Sequence, residues 1–128
     1  MMAHYLLSAE AAFSASHTLP GVHLRERLHG HNWRVRLTIR VEEDGIGPQG
    51  MGVDFREIEN AVKNTVTGFD HQYLNDLKPF KEHVPSAERV VQVIYEAACD
   101  QLHKVAPHVS VQEVELWEVP EYRVVYRP

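Results

Sequence analysis

The chain has 128 residues, with 13 Lys+Arg against 18 Asp+Glu, nine His and one Cys, and its length fits one domain over 1–128 with a substantial core. A net charge of −5 argues against a nucleic-acid binder, and a single Cys excludes an internal disulfide or a Cys-based zinc ribbon. No apolar run nears the roughly 18 residues of a membrane span, so a cytoplasmic protein without a membrane partner is expected.

Residues 4–17 alternate with period two. Tyr5, Leu7, Ala9, Ala11, Phe13, Ala15 and His17 form one face of a strand. After a turn at Pro20-Gly21, residues 29–43 alternate again, with His31, Trp33, Val35, Leu37, Ile39 and Val41 on one side and Arg34, Arg36 and Arg40 on the other. Gly and Pro mark 44–52 as a loop. Asp54 caps a helix, with Glu57 as its capping-box partner. The apolar stripe is Phe55, Ile58, Val62, Val66 and Phe69, and Gly68 ends it. Ser86 caps a second helix with the stripe Ala87, Val90, Val91, Ile94, Ala98, Leu102 and Val105, stopped by Pro107. Strands over 109–119 and 121–127 close the chain, and a phase slip between Val111 and Val114 predicts a bulge. The order β-β-α-α-β-β predicts an α+β domain: a four-stranded antiparallel sheet with both helices on one face. Its long open edges predict a homo-oligomer built by joining sheets.

Histidine makes up nine of 128 residues, and placement gives the count its meaning. In an extended strand His29 and His31 project from one face. An antiparallel partner brings His17, at the end of the first strand, beside them. Three imidazoles then meet at one corner, and three nitrogen ligands with an open fourth position suit a catalytic zinc. Surface histidines flanking a turn glycine are the bland alternative, which the third histidine outweighs.

F-S-A-S-H (13–17), L-H-G-H-N-W (28–33), M-G-V-D-F (51–55), D-H-Q-Y-L-N (70–75), P-S-A-E (85–88) and the region of Glu118 occur in that order. Together they resemble the 6-pyruvoyl-tetrahydropterin synthase family, which includes the 6-carboxy-tetrahydropterin synthases of queuosine biosynthesis. The resemblance covers nearly the whole chain. It implies a T-fold (tunnelling fold), in which three subunits join sheets into a barrel and two trimers stack into a homohexamer. It also implies a pterin substrate, 7,8-dihydroneopterin triphosphate, with zinc on His17, His29 and His31. Asp70 and His71 match the family's proton-relay pair, although Asp70 also reads as a turn residue after Gly68. Glu118 matches the pterin-anchoring glutamate. It shares the phase of Val114 and Leu116, and a carboxylate there can accept two parallel N–H donors.

The sequence departs from the family at one point. The carboxy-tetrahydropterin enzymes carry a Cys four residues before the first His of H-G-H, where this chain has Arg25. The lone thiol, Cys99, lies in the second helix and reads as a bystander. Glu26 instead gives E-x-x-H-G-H, resembling the subgroup in which Glu replaces Cys and the product is 6-hydroxymethyl-7,8-dihydropterin, a folate precursor. Glu26 is the catalytic base in that reading; in the other it belongs to a solvated R-E-R loop. The alternatives are a 6-carboxy-tetrahydropterin synthase and a repurposed, non-catalytic pterin-binding homologue. Arg25, Arg27 and the arginines of the second strand compete as partners for the triphosphate.

Overall fold

The computed structural model describes residues 2–128. Strand β1 (His4–His17) runs antiparallel to β2 (His29–Glu42) in unbroken register from His4 opposite Glu42 to His17 opposite His29. The alternation that marks these strands places Phe13, Ala15, Trp33, Val35, Leu37, Ile39 and Val41 in the core. Phe13 and Trp33 are cross-strand partners, with rings stacked 5.8 Å apart and nearly parallel.

Helix α1 (Phe55–Thr67) begins where the Asp54 carboxylate accepts the Arg56 N–H at 2.8 Å. This is a cap without the reciprocal Glu57 contact that the sequence predicts. Ile58, Ala61, Val62 and Val66 are buried, but Phe55 is exposed. It lines an open hollow beside Ser8, Ala9 and Glu10 of β1 instead of entering the core. Helix α2 (Ala87–Val105) is capped by Ser86 Oγ, which accepts the Arg89 N–H at 3.3 Å. Its stripe is buried from Val90 to Leu102, whereas Val105 is exposed in the last turn.

Strands β4 (Ser110–Val119) and β5 (Tyr122–Tyr126) complete an antiparallel run β1-β2-β4-β5. The expected bulge is present, because Glu113 faces Thr38 and Val111 faces Ile39, leaving Gln112 without a partner on β2.

The sheet nevertheless has five strands, not four, and it is mixed. Gln72–Tyr73 forms a two-residue β3 parallel to Ala15–Ser16, on the outer side of β1. Two residues carry no readable periodicity, so side chains specify this pairing instead. The Ser14 N–H donates to Asp70 Oδ1 at 2.9 Å, and the His71 N–H to the Ser14 carbonyl at 2.6 Å. Asn75 receives the Thr18 N–H at 2.9 Å and donates to the Thr18 carbonyl at 3.0 Å. The D-H-Q-Y-L-N segment is thus a clamp on the end of β1 that carries His17. No helix among the described residues is long and apolar enough to cross a membrane.

On the sheet face opposite the helices, the arginines of β2 are not simply solvated. Trp117 lies among them, with the Arg34 guanidinium 4.0 Å and that of Arg36 5.2 Å from its ring centre. Arg36 also bridges Glu10 at 2.8 Å and Glu115 at 3.4 Å, and Arg40 pairs with Glu42 at 2.6 Å.

Candidate metal centre and ligand site

The unbroken β1–β2 register brings His17, His29 and His31 to one corner, with ring centres 4.5 to 5.4 Å apart. One ligand atom from each lies within 4.8 Å of the others. The Nε2 atoms of all three are buried and lack any hydrogen-bond partner. Leaving three polar atoms unpaired at one point is unfavourable by roughly 1–3 kcal/mol apiece, unless something bound there takes their lone pairs.

The opposite nitrogens show which tautomer is present. His17 Nδ1 lies 2.8 Å from the Pro85 carbonyl, and His29 Nδ1 lies 2.7 Å from that of Arg27. A carbonyl only accepts, so each Nδ1 carries the proton and each Nε2 a free lone pair, the arrangement in which histidine binds metal. Burial lowers the His17 pKa below its ordinary value, opposed by the Pro85 hydrogen bond. Burial also lowers that of His31, opposed by Glu118. Neutral rings are the ligating form. The donor set therefore fits a zinc-type ion, which prefers nitrogen ligands and leaves a place for a fourth. Trp33 floors the corner without exposed surface, edge-on to His17 and His31, and its Nε1–H donates to the Ala15 carbonyl at 3.2 Å.

Glu118 adds a carboxylate with only 11% of its side chain exposed. It lies 3.4 Å from His31 Nε2 and 3.9 Å from His17 Nε2. Trp117 pairs with Arg123 and Val119 with Tyr122, so Glu118 is the extra residue of a second bulge, a device that re-aims a side chain. Beside it, a hollow of about 340 Å³ is lined by Ala87, Glu88, Glu118, Tyr122, Arg123 and Val124. The guanidinium of Arg25 reaches Glu118 Oε1 at 3.2 Å, a contact across 93 positions that periodicity cannot foretell.

Asp70 and His71 do touch, Oδ2 to Nε2 at 3.6 Å. The Asp70 carboxylate also serves as the clamp on Ser14, so the turn and relay readings are compatible. His71 has a positive φ of 59° and a side chain 82% exposed. It shares a hollow of about 420 Å³ with His31, opening beside Ser14, Ser16 and Asn32. Glu26 is exposed and makes no side-chain ion pair or hydrogen bond among the described residues. Cys99 is half-buried, and burial pushes its thiol pKa up, opposite to what a nucleophile needs. It lies 12 residues along α2 from Ala87, about 18 Å at the helical rise.

An α+β domain with three convergent imidazoles and an adjacent, mostly buried carboxylate defines a protein with a site able to hold a metal ion. The sequence model of the 6-pyruvoyl tetrahydropterin synthase family matches residues 6–128, and the chain belongs to that family of pterin synthases. Among its relatives, the 6-carboxy-5,6,7,8-tetrahydropterin synthase of Aquifex aeolicus is 26% identical over 78% of this chain and 74% of its own. The 6-pyruvoyl tetrahydropterin synthase of Caenorhabditis elegans superposes with a TM-score of 0.78 at 24% identity, covering 99% of this chain and 97% of that one. A Plasmodium vivax 6-pyruvoyltetrahydropterin synthase, solved with a catalytic glutamate replaced by Cys, superposes with a TM-score of 0.77 at 20% identity, covering 98% of each chain. These structures share the T-fold, which is the fold of this chain.

Proposed function

We propose that the protein is a zinc-dependent lyase that shortens the side chain of 7,8-dihydroneopterin triphosphate to give 6-hydroxymethyl-7,8-dihydropterin. The observation that carries this reading is the convergence of three unpartnered imidazole nitrogens beside the carboxylate of Glu118, in a chain that places Glu26 before H-G-H. His17, His29 and His31 would hold the zinc, which when bound supplies Lewis-acid character that acidifies the side chain of the substrate. Glu118 accepts the paired N–H donors of the pterin ring, with the neighbouring hollow receiving the ring. Glu26 removes the proton of the second side-chain hydroxyl. The carbon–carbon bond beside the ring-bound carbon then breaks, the phosphate-bearing two-carbon fragment leaves as an aldehyde, and a proton returns to the ring-bound carbon. Asp70 and His71 are the pair for that return. The glutamate named as catalytic in the Plasmodium vivax protein supports the role of Glu26.

The open outer edges of β1 and β5 support assembly of three copies into a barrel and of two trimers into a homohexamer. A second reading, a 6-carboxy-tetrahydropterin synthase, is favoured by the Aquifex aeolicus relative.

Incubation with 7,8-dihydroneopterin triphosphate and mass spectrometry of the products separates these readings. Hydroxymethyl-dihydropterin is expected, and carboxy-tetrahydropterin would establish the second. Substrate left intact by zinc-loaded protein would make the chain a binding homologue. Glu26→Ala is expected to lower the rate at least about a hundredfold if Glu26 is the general base, and near-wild-type turnover would remove it from the mechanism.

A further inference from the structure

Arg25 stands four residues before the first histidine of H-G-H, and its loop aims it at the Glu118 carboxylate. The Leu19 N–H donates to the Arg25 carbonyl at 2.8 Å, and the Arg25 N–H to that of Val22 at 2.9 Å. Leu24, immediately before it, has φ of 67°, a conformation uncommon for a residue with a side chain. The Arg25 side chain is 40% exposed while that of Glu118, which it meets, is 11% exposed, so Arg25 lies between the less exposed end of the site and solvent.

Arg25 and His31 both approach Oε1 of Glu118, at 3.2 and 3.4 Å. A ligand that presents two adjacent N–H donors uses both carboxylate oxygens, and at Oε1 it competes with Arg25 for the same acceptor. Such donors are neutral. Once they replace the guanidinium, a positive charge is left without its counter-ion in a partly desolvated site, which is unfavourable unless an anion meets it.

We propose that Arg25 is a displaceable latch on Glu118 that sets specificity. The free protein keeps the carboxylate paired. A ligand with an amidine-like donor edge takes that carboxylate, and the released guanidinium pairs with the ligand's phosphate tail. The latch rests on the pterin-anchoring role given to Glu118 above. It selects molecules that carry both features over the unphosphorylated ring compound.

Neopterin and neopterin triphosphate, whose oxidised ring is fluorescent, serve as probes in titrations of the wild-type protein, Arg25→Gln, Arg25→Lys and Glu118→Gln. The wild type is expected to prefer the triphosphate at least about tenfold, as a charge-assisted contact implies, and to lose that preference in high salt. Arg25→Gln should abolish the preference while neopterin binds as well as before or better; Arg25→Lys should retain part of it. An unchanged preference in Arg25→Gln overturns the latch. Equal weakening of both ligands also overturns it, making Arg25 a prop for the Glu118 side chain. If Arg25→Gln does not fold, the preference of Arg25→Lys decides in the same way. Should neither compound bind the wild type, or neopterin bind Glu118→Gln as well as it binds Arg25→Gln, the anchoring role of Glu118 falls and the latch with it. Loss of both ligands in Glu118→Gln with no change in Arg25→Gln removes the latch alone.

Discussion

At the scale of single residues, the site is a set of imidazoles oriented by what lies behind them. Each Nδ1–H that donates to a carbonyl keeps an Nε2 lone pair directed inward. The same burial makes the metal-free protein sensitive to acid. His17 and His31 both have pKa values lowered in the fold, so the unfolded chain binds protons more readily below about 6.5. The stability they contribute is present above that pH and is lost as the pH falls through the lowered folded values. Chelator-treated protein should therefore show a falling thermal midpoint between pH 7.5 and 5.5, with a shallower fall in His17→Gln. An equally steep fall in that variant would show that His17 does not contribute to the dependence. Glu118 differs in kind: its side chain is only 11% exposed, and Arg25 meets it at 3.2 Å.

At the scale of elements, the β1–β2 hairpin does most of the positioning, and its far end is guarded by a glycine. A Cβ on Gly52 would overlap the Val41 side chain, which is almost fully buried. The Gly52 carbonyl also accepts His108 Nε2 at 2.6 Å. Gly52→Ala should destabilise by about 1–3 kcal/mol through overpacking, read as a lower urea midpoint. Because Val41 lies 12 residues from His29, about 40 Å along the strand, ligand binding should persist; an unchanged midpoint would mean that the loop yields freely.

The hairpin was also the most legible part of the chain. Side-chain alternation is a property of each strand by itself, so parity alone places His29 and His31 on the face of Trp33. The slip between Val111 and Val114 is likewise local. What could not be read depends on contacts between distant segments. The clamp of Asp70 and Asn75 on β1 is formed across more than 50 positions. The Trp117–Arg34 contact needs the β2–β4 register to be known, and the re-aiming of Glu118 needs the second bulge. Phe55 and Val105 follow the helical period yet are exposed, because a helix end can run past the surface its middle covers.

For the whole molecule, the decisive feature is an unfinished sheet. β1 has a neighbour on its outer side only at Ala15–Ser16, and β5 has none, while Tyr5 and Leu6 are about half exposed at the start of β1. Light scattering coupled to size exclusion should give six copies of the 14.7 kDa chain, about 88 kDa, and a mass that stays at one copy across concentrations would refute the assembly.

The bond from His17 to the Pro85 carbonyl has a consequence for motion. Pro85 directly precedes the cap of α2, so fraying of that helix start frees one imidazole to rotate and exchange its proton between nitrogens. Local opening at the start of α2 is thereby coupled to the orientation of one of the three imidazoles. Whatever occupies the three nitrogens acts as a fastener for a helix it never touches, and the amide protons of the first turns of α2 become its reporters.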